Sequence, residues 1–133
     1  MKALRNISFA AFACSLVAAL SPAKTVAAEL IMLEQKGCHW CAVWNDEIGI
    51  AYPKTEEGRR APLRRVDIHE QLPEDLKSLR KASFTPTFVV WHNGREIDRL
   101  RGYPGSHFFW PMLGDMLSKL DKADVAATSE PKS

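Results

Sequence analysis

The order of periodic segments predicts an α/β domain: a four-stranded mixed sheet flanked by helices on both faces, in the order β-α-β-α-β-β-α. Three observations carry that prediction. Glu29-Leu30-Ile31-Met32-Leu33 is an almost continuous apolar run, the pattern of a central strand buried on both faces. Leu63 to Ile68 and Phe88-Val89-Val90-Trp91 read as two further strands, separated from the first and from each other by helical spacing. Asn93-Gly94 then marks a tight hairpin turn, with Glu96 to Arg101 as the return strand.

The remaining elements fall between these. Gln35 to Gly37 make a turn, and Cys38 opens a helix expected to reach about Tyr52, where Pro53 removes a backbone donor and stops it. Lys54 to Pro62, with Glu56, Glu57, Gly58, Arg59 and Arg60, reads as a charged loop. Pro73 begins a short second helix with Leu72, Leu76 and Leu79 inside and Lys77, Arg80 and Lys81 outside. Gly102 to Gly105 form a turn, and Ser106 caps a last helix ending near Leu120. Pro111 either kinks that helix or starts a shorter one.

The 133 residues suit one domain, and a hydrophobic content of 46% suits one modest core. Residues 1–28 read as a cleaved secretory signal: Lys2 and Arg5 form a basic start, Ile7 to Leu20 an apolar stretch, and Val26-Ala27-Ala28 a small-residue cleavage site. The apolar stretch is too short for a membrane anchor. Cleavage after Ala23 is a second option, and Cys14 lacks the preceding leucine that a lipid-acylated cysteine carries. This division leaves residues 29–120 as the folded domain and 121–133 as a small, polar tail expected to be disordered. Removing Lys2, Arg5 and Lys24 from the 18 basic residues leaves 15 against 16 acidic ones, a net charge of −1. That balance gives no support for nucleic-acid binding, and Arg59-Arg60 and Arg64-Arg65 read as solvated loop and strand-edge charges.

Two cysteines remain after the signal, both in Cys38-His39-Trp40-Cys41. A thiol becomes a good nucleophile when ionised, and a helix start favours the thiolate. The spacing lets Cys41 attack a mixed disulfide formed at Cys38, so the pair reads as a thiol–disulfide exchange centre, Cys38 attacking and Cys41 resolving. A structural disulfide closing so small a ring would stabilise little. Zinc needs two further ligands, and His69, His92 and His107 lack ligand spacing and read as solvated or loop residues. Ala42 after the second cysteine rules out haem attachment, so no cofactor and no metal is expected. His39 has two readings: a partial positive charge that favours the Cys38 thiolate, or an exposed loop residue without effect. Trp40 is either a flat contact for partners or helix packing, whereas Trp44 reads as core. Phe108, Phe109 and Trp110 read as core, with the alternative that they and Tyr103 border a partner groove.

From Leu30 to Leu120 the chain resembles the thioredoxin superfamily, on C-H-W-C after the first strand, Thr85-Pro86 ahead of the third, and Asn93-Gly94 followed by G-Y-P-G. The strings E-Q-K-G-C-H-W-C, A-P-L-R-R-V-D-I, F-T-P-T-F-V and G-Y-P-G-x-x-F-F-W are similar to the periplasmic thioredoxin-like proteins of the bacterial sulfur-oxidation (Sox) system. The resemblance implies a thioredoxin-like fold and a cis bond at Pro86, which lies against the disulfide in that family. It implies that Thr85 and Pro86 bind an extended partner segment by strand pairing. It further implies a periplasmic reductase whose partner protein presents a disulfide or a blocked cysteine, as on a Sox carrier. A membrane electron donor of the DsbD/CcdA type would resupply it, and the mature protein would be soluble.

Two positions depart from the family. Met32 stands where many members carry a buried acid that takes the proton of the second cysteine, and Glu34, on the same strand face, is only a weak substitute. Gly37 replaces the usual Trp before the first cysteine. Two other functions stay open at this level: a general periplasmic oxidase or isomerase, which His39 and an oxidising compartment allow, and a Cu(I) or zinc carrier using both thiolates and His39. The shortness of the chain argues against an isomerase, which needs a dimerisation domain.

Overall fold

The computed structural model describes residues 28–129. The proposed signal segment, apart from Ala28, and the last four residues of the polar tail lie outside the described residues. The sheet is built from β1 (Glu29–Glu34), β2 (Leu63–Asp67), β3 (Thr87–His92) and β4 (Arg95–Arg101), in the order β2-β1-β3-β4. β1 runs parallel to β2, with Leu30 opposite Leu63, and antiparallel to β3, with Leu33 opposite Thr87. β3 and β4 form the expected hairpin, and both Asn93 and Gly94 have positive φ, as that turn requires. Leu30 to Leu33 are all buried, because β1 is central and covered on both faces.

Strand alternation divides the core in two. One face gathers Leu30, Met32, Phe88, Val90 and Leu100 against Trp44, Tyr52, Phe109 and Leu113. The helices there are α1 (His39–Trp44), α2 (Glu56–Arg60) and α3 (Ser106–Ser129). The opposite face gathers Ile31, Leu33, Val66, Val89 and Trp91 against Leu76 and Leu79. The second helix expected from Pro73 is a single 3-10 turn, Glu74–Leu76. That turn buries Leu76, and the bend after it, where the Leu79 N–H donates to the Leu76 carbonyl, buries Leu79, with Leu72 half-buried beside them.

Several more expectations need correction. The first helix ends at Trp44, gives way to a π-turn over Asn45–Gly49, and resumes as a 3-10 turn at Tyr52–Lys54. Asn45, Asp46 and Gly49 are weak helix formers, and Pro53 donates no backbone bond. The charged segment from Lys54 to Pro62 is not all loop: Thr55 accepts a hydrogen bond from the Gly58 N–H and caps α2. Gly58 is obligatory in that helix, since a Cβ there would stand 1.9 Å from the Tyr52 carbonyl oxygen. Finally, α3 starts with Gly105 as its cap, whose carbonyl accepts from the N–H groups of Phe108 and Phe109, and Ser106 is already inside the helix.

A further correction concerns the far end of α3, which passes through an exposed Pro111 and continues to Ser129. Residues 121–129 are therefore helical rather than a disordered tail. Alanines 123, 126 and 127 favour the helix, and Asp121 and Asp124 tie it to Arg60 and to His92. His92, read as solvated, is instead buried in β3 with Nε2 2.9 Å from Asp124 Oδ1.

Candidate active site

Cys38 and Cys41 are joined, Sγ to Sγ at 2.09 Å, at the end of β1. Gly37, at φ +76°, turns the chain, and the Cys38 N–H donates back to the Gln35 carbonyl. Cys38 occupies the cap of α1, and its Sγ accepts the Cys41 N–H at 3.1 Å. A backbone donor aimed at that sulfur favours its anion once the bond is reduced. Cys38 is half-buried and Cys41 only 4% exposed, so the two residues differ in exposure.

The Thr85–Pro86 bond is cis, and Pro86 is buried. Hydrogen bonds stitch this loop to its neighbours. Gln35, three residues before Cys38, donates Nε2 to Thr85 Oγ1 at 2.9 Å, and its Oε1 lies 2.9 Å from His69 Nε2. Thr87 Oγ1 donates to the Phe84 carbonyl at 2.7 Å, and the Gly102 N–H donates to the Pro86 carbonyl at 2.7 Å. The motif loop, the cis-proline loop and the turn before α3 are thus one connected rim.

Aromatic residues divide between core and rim. Trp44 is fully buried and packs against Phe88 and Phe109 at ring separations of 5.2 and 5.8 Å. Trp40, by contrast, is 55% exposed and meets the His39 ring edge-on, so it lies outside the core. Phe109 is core, Trp110 stacks on Tyr52, and Phe108 is 65% exposed. Tyr103 is buried and donates to Glu47 Oε2 at 2.5 Å; burial, reinforced by that carboxylate, raises its phenol well above the ordinary value. His39 and His107 are exposed.

Beside Met32, on the neighbouring strand, the fold places a cation. Met32 lies opposite Arg65 in the β1–β2 register, and Arg65 Nη1 reaches Met32 Sδ at 3.5 Å. The same guanidinium pairs with Glu34 at 2.8 Å, donates to Asn45 Oδ1 at 2.7 Å, and stands 5.8 Å above the Trp44 ring. Arg65 is exposed on the edge strand, as read, and through Glu34 and Asn45 it also supports the site. Glu34 lines the same shallow groove as Cys38, Cys41 and Asn45, held in its ion pair. Gln35, His69 and Arg65 are the residues that sequence reasoning missed. Their partners lie 20 to 50 residues away, where no local spacing points to them. Among the described residues no three His, Cys, Asp or Glu side chains gather as a metal site.

The chain is similar to two solved structures. The periplasmic thioredoxin SoxS from Paracoccus pantotrophus, crystallised in its reduced form, is 45% identical with a TM-score of 0.66, over 70% of this chain and 98% of that one. The Malassezia sympodialis thioredoxin Mala s 13 is 22% identical with a TM-score of 0.50, over 68% of this chain and 77% of that one, a likeness of fold alone. No protein-family model and no curated protein matches.

Proposed function

Because the chain belongs to the thioredoxin family, its cysteine pair performs thiol–disulfide exchange, and we propose that it does so as a periplasmic reductase for a partner protein in sulfur oxidation. The observation that carries this reading is the asymmetric pair: an accessible Cys38 whose sulfur accepts a backbone N–H, backed by a buried Cys41. The Cys38 thiolate attacks one sulfur of the partner's disulfide, and that bond breaks as the mixed disulfide forms, releasing the partner's other sulfur as a thiolate. Cys41, losing its proton, then attacks Cys38 Sγ; the partner leaves as a dithiol, and Cys38–Cys41 becomes the disulfide. Two electrons pass from the protein to the partner. A membrane dithiol donor of the DsbD/CcdA type restores them.

The backbone of Thr85 pairs with the partner's extended segment, Pro86 packs against that segment, and Trp40 offers it a flat apolar face. The likeness to periplasmic thioredoxins of the Sox system supports a carrier protein of that pathway, bearing a disulfide or a blocked cysteine, as the partner. Residues 1–28 act as the export signal in this reading.

The test is mixed-disulfide trapping in the native host. Cys41→Ser should accumulate a covalent adduct containing a sulfur-carrier protein, and Cys38→Ser should accumulate none. A broad mixture of exported proteins would favour a general oxidoreductase, and no adduct from either variant would refute the exchange mechanism.

A further inference from the structure

We propose that the partner docks through an acidic segment, whose carboxylates flank the cysteine delivered to Cys38. This inference rests on the exchange function above and adds the chemistry of the surface it recognises. The rim of the disulfide is made of three segments, 35–42, 80–87 and 101–110, joined by the Gln35–Thr85 and Gly102–Pro86 hydrogen bonds. None of the three contains an aspartate or a glutamate, although the chain from Glu29 onward carries slightly more acidic than basic residues. Each supplies instead one exposed cation outside any ion pair and one exposed Trp or Phe ring: Lys36 with Trp40, Lys81 with Phe84, and Arg101 with Phe108, while Arg80, also exposed, is paired with Glu96.

Apart from Asp46, which is exposed next to the groove residue Asn45, the carboxylates flanking these segments are engaged or stand to one side. Glu34 is paired with Arg65, Glu47 accepts the Tyr103 hydroxyl, and Glu96 holds Arg80 and Arg99. Asp67 accepts the His69 N–H in the loop that follows β2, and Glu70 is exposed on the same loop, beside the His69 that bonds Gln35. Lys36, Lys81 and Arg101 have no ion-pair partner among the described residues.

Lys81 and Arg101 are further brought together at one place. They line a small cleft with Phe84 and Thr87, the residues on either side of Thr85-Pro86. Arg99 fixes its floor, donating to the carbonyls of Arg80 and Lys81 while Glu96 neutralises it. Two unneutralised cations therefore flank the backbone that would pair with the partner strand. Charges so placed raise the encounter rate of an opposite charge and repel a basic segment.

The experiment measures the second-order rate at which the reduced protein reduces two synthetic peptide disulfides, identical except for Asp/Glu or Lys flanks. The acidic peptide should react about tenfold faster at low ionic strength, and the advantage should shrink as salt is added. Lys81→Glu combined with Arg101→Glu should abolish or reverse the preference. The same variant should keep its rate with the uncharged bis(2-hydroxyethyl) disulfide, which shows that it is folded and active. Equal rates for the two peptides, or an acidic preference that survives the double variant, would overturn the proposal. Failure to reduce the uncharged disulfide in the unaltered protein would instead overturn the exchange function itself.

Discussion

Gln35 Nε2 donates to Thr85 Oγ1 at 2.9 Å, a side-chain bridge across 50 residues from the loop before Cys38 to the residue before cis-Pro86. The bridge is itself held, because Gln35 Oε1 is bonded to His69 Nε2. Removing it frees the cis-proline loop without touching either sulfur. Gln35→Ala should therefore raise KM for a protein or peptide disulfide several-fold, the effect of losing about 1 kcal/mol of positioning. The reduction potential, measured against glutathione, should stay unchanged; a shift in potential with KM unaltered would show that Gln35 acts on the sulfurs instead.

How much of this was legible in the sequence follows from the range of each interaction. β1, the Asn93-Gly94 hairpin and the cysteine motif rest on neighbours in the chain, so apolar runs and turn residues announced them. Thr85-Pro86 was reached through family resemblance, since nothing in an isolated Thr-Pro pair specifies its isomer. Arg65 is the exposed edge-strand charge the sequence suggests, but its bonds to Glu34 and Asn45 depend on cross-strand register that no local spacing shows. The polarity of residues 121–129 suggested a tail, and the helix forms there because alanine propensity is joined by Asp121–Arg60 and Asp124–His92, both long-range pairs.

Gly58 fixes the short α2 segment against the 3-10 turn before it. A methyl group there would collide with the Tyr52 carbonyl, whose oxygen also accepts from Thr55. Gly58→Ala should cost about 2 kcal/mol or more, against the small gain that alanine brings to an unhindered helix position. Urea unfolding of the oxidised protein checks it; a variant as stable as the parent would mean that the turn and α2 separate freely.

Glu96 supplies a pH dependence. Burial pushes its carboxyl up, but hydrogen bonds from Arg99 and Arg80 outweigh that and hold it at about 2. A folded carboxyl lower than its unfolded counterpart of 4.5 stabilises the fold above that value, and the contribution disappears as pH falls toward 2. The loss should be on the order of 1–3 kcal/mol, with most of it from nearly buried Arg99 rather than exposed Arg80. Glu96→Gln should be less stable at neutral pH and show a flatter acid limb in thermal unfolding. Parallel limbs for the two proteins would place the acid sensitivity elsewhere.

The exchange chemistry depends on Cys38 being both ionised and reachable once the disulfide is reduced. The rate of iodoacetamide labelling at Cys38, mapped by peptide mass in the reduced protein at neutral pH, measures both at once. Cys38 should react about tenfold faster than glutathione, while Cys41 stays unlabelled until the protein unfolds. Labelling of Cys38 no faster than glutathione, or of both cysteines alike, would contradict the assignment of attacking and resolving sulfurs.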